Sequence, residues 1–293
     1  MGPPQMARST SEVEAHNARV SAWYDTHPIN EHEILSKAAA KGLDVDKLTE
    51  NELKEFDQDH YGGSQATDLL ASLAEIRREH SVLDVCCGLG GPARWIAHQI
   101  GCRVTGLDLT QSRIDSAKRL TARVGLTNLV GFVQGDAMDM PLPAASFDRA
   151  YGQEAWVHIP DKRALLSECR RVLKNDSVLT FTDIVARAPL TIDESAQMAS
   201  EMQFPSIVTA QHYLDLLPAT GFIVERYDDL SPEWKDILVA RLEMYRSLRD
   251  TTIERFGQAH FDQWDRMYAA FVGLYVAGKL GGARIVARLR SLT

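Results

Sequence analysis

The stretch Ser81-Val82-Leu83-Asp84-Val85-Cys86-Cys87-Gly88-Leu89-Gly90-Gly91-Pro92-Ala93-Arg94-Trp95-Ile96-Ala97 constrains this chain more than any other. Val82, Leu83 and Val85 form the short apolar run of a strand covered on both faces. A glycine-rich turn follows, and Pro92 suits the first position of a helix, where a missing N–H costs little. A strand, a glycine turn and a helix N-terminus in succession let a ligand approach the backbone and aim free N–H groups at it.

The segments around it alternate. Helical spacing over Ala66 to Arg78 precedes the opening strand. The next elements are a helix from Pro92 to Ile100, a strand from Arg103 to Asp108, a helix from Thr110 to Gly125, and strands from Leu129 to Gln134 and Phe147 to Tyr151. A helix after Pro160-Asp161 and a strand from Val178 to Val185 close this half. Such alternation predicts a doubly wound α/β fold, a mostly parallel sheet with helices on both faces. Residues 1–60 carry helical but no strand-like pattern and read as a helical N-terminal cap, with Trp23, Tyr24 and Ile29 as apolar groups needing a surface to cover. Thr49-Glu50-Asn51-Glu52 has the form of a capping box. Residues 61–230 form the expected core, and 186–208 within it read as a lid-like connection. The expected 231–293 region holds two long helices, Pro232 to Phe256 and Phe261 to Lys279, and a short last strand near Ala283 to Ala287 that completes the core and encloses a second ligand.

A chain of 293 residues has room for one large domain with a cap. Its net charge of −8 argues against a nucleic-acid partner, which wants a basic face. No apolar run reaches membrane-span length, and Met1 to Ser11 lacks a targeting pattern, so the expectation is a cytoplasmic protein without a membrane span. The four cysteines show no CxxC spacing; Cys87, Cys102 and Cys169 read as small core hydrophobes, and no metal site is expected.

Which ligand the turn takes is decided by acids. Gly88 to Ala93 matches the G-x-G-x-x-G/A dinucleotide fingerprint, and Asp108 stands where a ribose-binding acid is expected. Asp84 at the end of the first strand would repel a pyrophosphate, yet it suits a ligand bearing an ammonium group. Asp136, with Ala137, follows the third strand, where an acid can accept from an adenine amino group.

With these residues in view, the run Val82 to Gly90 resembles motif I of the class I S-adenosylmethionine-dependent methyltransferases. Gly106-Leu107-Asp108 resembles their acidic second motif and Gly135-Asp136-Ala137 their adenine motif. Asp57-Gln58-Asp59-His60-Tyr61-Gly62-Gly63, Gly90 to Arg94, Gln153-Glu154-Ala155-Trp156-Val157-His158-Ile159-Pro160-Asp161 and Ala277-Gly278-Lys279-Leu280 are similar to the small-molecule branch containing sarcosine/dimethylglycine N-methyltransferases. The resemblance implies a seven-stranded Rossmann-like sheet. It also implies S-adenosyl-L-methionine as cofactor, with S-adenosyl-L-homocysteine as product, and N-methylation of an amino-acid-like amine. O- or C-methylation of an apolar metabolite such as a quinone or terpenoid stays open, as does a cofactor-binding protein without catalysis. By resemblance, Asp84 organises the surroundings of the cofactor's methionine part, Gly88 and Gly90 admit it, Asp108 with Leu109 takes the ribose, Asp136 and Ala137 hold the adenine edge, and Tyr61 and Gln153 lie against it. Cys86 departs from the pattern, standing where motif I has its first glycine, and a positive φ there would strain it.

His158, beyond the fourth strand, is the candidate base, with Glu154 beside it as a second catalytic candidate. Tyr24, Trp156 and Met202 are the candidate acceptor contacts. Arg94 is read as meeting a carboxylate of cofactor or acceptor. The stripe Trp264, Met267, Tyr268, Phe271, Leu274 and Tyr275 reads as core or homodimer packing ahead of an acceptor wall.

Overall fold

The structure, a computed structural model, describes residues 10–58 and 60–290; the start of the chain and Asp59 of the Asp57 to Gly63 motif lie outside the described residues. Three helices come first: α1 (Thr10–Asp25), α2 (Glu31–Ala40) and α3 (Glu50–Asp57). Asn30 starts α2 by accepting from Glu33 N at 3.0 Å. The capping box at α3 forms reciprocally, Thr49 Oγ1 accepting from Glu52 N (3.3 Å) and Glu52 accepting from Thr49 N (2.8 Å).

The alternating part runs α4 (Gly63–Leu73), β1 (Ser81–Val85), α5 (Gly91–Ile100), β2 (Arg103–Asp108), α6 (Gln111–Arg123), β3 (Val130–Gln134), β4 (Phe147–Gln153), α7 (Lys162–Val172) and β5 (Leu173–Ala186). It continues with α8 (Ile192–Glu201), α9 (Ala210–Ala219), β6 (Phe222–Asp229), α10 (Ser231–Ser247), α11 (Arg249–Phe256), α12 (Gln258–Val276) and β7 (Leu280–Leu289). The seven strands form one sheet in the order β3-β2-β1-β4-β5-β7-β6. The first five strands run parallel, and β7 is antiparallel to both β5 and β6. Strand order reverses between β1 and β4, and the crevice at the carboxyl ends of those strands is where such sheets bind ligands.

Three expectations are corrected. The 186–208 connection contains α8, opened by a second capping box in which Thr191 Oγ1 accepts from Glu194 N. The helix expected from Pro232 to Phe256 breaks at Leu248, which ends α10 and precedes α11; Thr251, Thr252 and Ile253 are β-branched and weaken a continuous helix there. The last strand spans ten residues because it is zipped between β5 and β6 along its length.

The sheet is buried on both faces. Leu83, Val85, Phe147 and Phe181 pack with α7 and α9 on one side, while Val82, Ile96, Ile114 and Phe132 pack with α5 and α6 on the other. A third cluster, including Met198, Trp234, Met267, Phe271 and Tyr275, joins α8, α10 and α12. Ile34 and Leu53 of the cap pack on Leu120 of α6.

Arg94 does not reach a ligand. Its side chain is fully buried, with Nη2 2.6 Å from Asp57 Oδ2 and Nη1 donating to Leu89 O (2.8 Å) and Thr121 Oγ1 (3.3 Å). Glu50 lies 3.6 Å from Nε without a hydrogen bond, and burial raises its pKa to about 8 despite the guanidinium. Arg94→Ala leaves Asp57 buried and uncompensated, a loss of about 3–5 kcal/mol in urea unfolding. Glu50→Gln replaces a carboxyl already protonated when folded. Because that folded pKa lies above the ordinary 4.5, the parent loses stability as pH rises from about 4.5 towards 8. Urea midpoints of E50Q and parent therefore match near pH 5 and separate in favour of E50Q by pH 8.

Candidate active site

The glycine turn, the carboxyl ends of the central strands, the cap and the C-terminal helices enclose one cavity of about 710 Å³. Such a volume holds a drug-sized ligand or more. Its inner half is polar and is built by strand ends. Asp84 closes β1, and Asp108 closes β2 in the neighbouring strand, its Oδ2 accepting from Gly88 N and its Oδ1 from Thr110 N, both at 2.9 Å. A carboxylate offers about four acceptor directions, so Asp108 has two left for a vicinal diol. Asp136 accepts from Met138 N (2.8 Å) and from Asn17 Nδ2 of α1 (2.6 Å). Leu109, Ala137, Gln153 and Tyr61 also line this half.

Two buried groups here point to a missing partner. Asp84 Oδ2 and Gln153 Nε2 are shielded from water and lie in hydrogen-bond geometry with no described residue, the Tyr151 hydroxyl being the polar group that stands beside the Asp84 carboxyl. Burial raises the Asp84 pKa to about 7, so its carboxyl is only partly ionised at neutral pH and a positive group beside it would favour the anion. Gly88 has φ +53 and open space where a Cβ would stand, so a side chain would project into the cradle. Gly90 serves otherwise: it does not line the cavity, and a Cβ on it would meet the Phe132 ring at 2.6 Å. Its role is close packing behind the turn.

The outer half is aromatic. Trp23 and Tyr24 of α1, His27, Phe204, and Trp264, Tyr268 and Phe271 of α12 form its wall, with Met202 beside them. His158 sits where the halves meet, on the single 3₁₀ turn Trp156–His158 that follows β4. Its Nδ1 donates to Gln203 O (3.2 Å), and its Nε2 accepts from the Tyr24 hydroxyl (3.1 Å). Burial lowers the pKa of His158 to about 3, so the ring is neutral with its lone pair on Nε2. Tyr24 is held in turn: Arg113 lies over its ring at 5.0 Å and donates to its carbonyl at 2.7 Å.

Of the predicted residues, Tyr24, Tyr61, Asp84, Cys86, Gly88, Asp108, Leu109, Asp136, Ala137, Gln153, Glu154, His158 and Met202 line the same cavity. Trp156 does not. It is fully buried in the core, stacked on Phe181 at 4.2 Å, because residues of a 3₁₀ turn are rotated by about 120° from one to the next and Trp156 and His158 therefore face different ways. Glu154 reaches the cavity wall, but its two oxygens accept from Tyr61 N (3.0 and 2.8 Å), which braces the loop ahead of α4 rather than presenting a base. The α12 stripe divides: Met267, Leu274 and Tyr275 pack in the core, and Trp264 and Tyr268 face the cavity. Asn17, His27 and Arg113 were not singled out from sequence. Nothing local marks them, since they matter only once the cap is folded over the sheet.

A strand-turn-helix crevice with acids on successive strand ends defines a nucleoside-cofactor enzyme. The family described as methyltransferase domain matches residues 83–181. Methyltransferase GfsG of Streptomyces halstedii is 34% identical over 227 residues, 74% of this chain and 80% of that protein. Sterol 24-C-methyltransferase ERG6B of Gibberella zeae is 35% identical over 171 residues; the match spans 55% of this chain and under half (44%) of that longer protein. Among solved structures, the [4+2]-cyclase SpnF shares the fold with a TM-score of 0.72 at 23% identity, covering 94% of this chain and 96% of that one.

The chain belongs to the S-adenosylmethionine-dependent methyltransferases. The unpartnered Asp84 and Gln153 atoms and the open cradle at Gly88 fit a cofactor that carries both positive charge and donor-acceptor edges.

The residue out of pattern, Cys86, has φ +70, the conformation that a glycine adopts freely. It is held there because Cys86 N and Cys87 N both donate to Leu107 O (2.8 and 2.9 Å). A left-handed non-glycine residue costs roughly 1–2 kcal/mol. Cys86→Gly removes that strain while loosening the unfolded chain, so the melting free energy should stay within about 1 kcal/mol of the parent. Cys86→Val, β-branched at the same φ, should cost about 1–3 kcal/mol. Chemical denaturation of the two variants checks the ordering.

Proposed function

We infer that the chain methylates a hydroxyl oxygen on a bulky, largely apolar small molecule. The observation that carries this reading is the neutral His158, its Nε2 lone pair at the Tyr24 hydroxyl, set at the floor of an aromatic chamber. S-adenosylmethionine, when bound, supplies an electrophilic methyl group on a sulfonium. The protein's share is alignment, exclusion of water and removal of one proton. We assign Asp84 to the cationic part of the cofactor, Asp108 with Leu109 to its ribose, Asp136 and Ala137 to its adenine, and Gln153 and Tyr61 to its flank. His158, made a weak base by burial that lowers its pKa to about 3, accepts the acceptor's proton at Nε2 only as the methyl–oxygen bond forms and makes the hydroxyl strongly acidic, with Tyr24, whose hydroxyl meets Nε2, passing the proton on.

The alternative from sequence, methylation of an amino-acid-like amine, has less support. A zwitterion needs a cation for its carboxylate; the three arginines of the wall are engaged inside the protein, which leaves Lys37 as the lining cation for such a group. Arg113 donates to Ile29 O and Tyr24 O, Arg241 to His60 O, and Arg255 to Glu33. The outer aromatic wall suits rings and hydrocarbon, as does the sterol named for one relative.

Turnover with methyl-labelled cofactor tests this. Label should enter a hydroxylated macrolactone or sterol probe and leave sarcosine and dimethylglycine unlabelled; the reverse pattern overturns the reading. His158→Gln should lower kcat on the order of 10²–10⁴-fold while cofactor affinity holds.

A second outcome concerns the cofactor. A cation beside Asp84 favours its ionised form, so binding below pH 7 releases a proton. Affinity should rise with pH up to about 7 and then level off. Calorimetric titration with S-adenosylmethionine at pH 6, in two buffers of different ionisation enthalpy, reads the proton count. Asp84→Asn should abolish both the proton release and the pH dependence.

A further inference from the structure

The 3₁₀ turn that carries His158 is gripped from beneath by a buried pair of opposite charges. Asp183 of β5 is fully buried; its Oδ1 accepts from Val157 N (2.9 Å) and its Oδ2 from the Tyr213 hydroxyl of α9 (2.7 Å). Lys162, the first residue of α7, is buried to 1% exposure, and its Nζ donates to Trp156 O (2.6 Å) and Ile159 O (2.5 Å). The carboxylate therefore holds an N–H of the turn and the ammonium holds its carbonyls, each matching the sign of the group it meets. Three further backbone groups of the turn are also engaged. His158 N donates to Ala155 O, Ile159 N donates to Trp156 O, and His158 O lies 2.7 Å from His16 Nε2 of α1.

Two fully desolvated charges are an expensive way to fix three residues that hydrophobic packing alone could bury. Neither touches the cavity, which excludes a direct part in binding. What they fix is the imidazole. A ring carried on a rigid turn, with Nδ1 tied to Gln203 O, has one tautomer and one direction for its lone pair.

We propose that Lys162 and Asp183 are positioning residues for proton removal, an oppositely charged clamp that holds the His158 turn so that Nε2 meets the Tyr24 hydroxyl. The assignment rests on the reading of His158 as proton acceptor. The charged and titratable groups around that ring are His16 and Tyr24 of α1, His27 between α1 and α2, and Lys162; their cations all oppose protonation of His158. Lys162 thus also helps to keep the ring neutral.

The test uses the full chain and its histidine ¹⁵N signals, with His158→Gln identifying the resonance. In the parent, His158 should show one neutral tautomer with the proton on Nδ1, unchanged from pH 8 to pH 5. Lys162→Met keeps the length and removes the charge and the donors. In it, His158 should show mixed tautomers and, with both proteins titrated down to about pH 3, a protonation midpoint raised by about one unit or more. Turnover of a hydroxylated macrolactone or sterol probe should fall on the order of 10- to 100-fold in kcat, with KM and cofactor affinity within about threefold. Lys162→Gln restores a neutral donor to both carbonyls and should recover the single tautomer while its midpoint stays raised, because the charge is still absent; that raised midpoint is the readout if Lys162→Met does not fold. A His158 signal in Lys162→Gln and Lys162→Met identical to the parent, in tautomer and midpoint, overturns the proposal. Retained turnover in His158→Gln overturns instead the reading on which it rests, so the two failures are told apart.

Discussion

One guanidinium holds the molecule's two halves together. Arg94 stands in the first turn of the helix that follows the glycine turn, and from there it reaches the cap through Asp57, the turn itself through Leu89 O and the next helix through Thr121. Its planar fork makes bonds in several directions at once, which a lysine could not reproduce. The cap helices are small and mostly polar, and their own cluster around Ile34 and Leu53 is modest. Without a charge to neutralise Asp57, the chain would have a strong reason not to close over the crevice. The same bond keeps Leu89, and with it Gly88, where a ligand can meet the backbone.

The division between what was legible in sequence and what was not follows from range. Val82 to Val85, the glycine turn and Pro92 are local signals, and strand, turn and helix formed where expected. Asp84, Asp108 and Asp136 are also local, each an acid at or just beyond the carboxyl end of a strand, and the parallel sheet brings them to one crevice. Trp156 was misread because neighbours on a 3₁₀ turn face apart, a difference that spacing within a loop does not reveal. Arg94 was misread because its partner Asp57 lies far back in the chain. Glu154 shows the same limit: spacing placed it beside the candidate base, but not its bond to the Tyr61 amide, which comes from far back in the chain. The break at Leu248 reflects a weak propensity signal within an otherwise helical pattern.

His158 owes its chemistry to its surroundings. An exposed histidine would be half protonated near neutral pH and would take up either tautomer; burial and the Gln203 carbonyl remove both freedoms. Gln203 itself has φ +56, a conformation that disfavours a non-glycine residue, and its backbone carbonyl is what meets the ring. Strain thus sits at both ends of the cavity, at Cys86 under the glycine turn and at Gln203 behind the base. A fold carries such local costs where the rest of its packing is secure.

Helix α1 touches both halves of the cavity through separate bonds, Asn17 to Asp136 at one end and Tyr24 to His158 at the other. It is a single rigid rod over two compartments. Traffic through them is therefore shared: if α1 lifts to release one occupant, it loosens its hold on the other. Exchange at either compartment is thereby coupled to the other through the bonds of one helix.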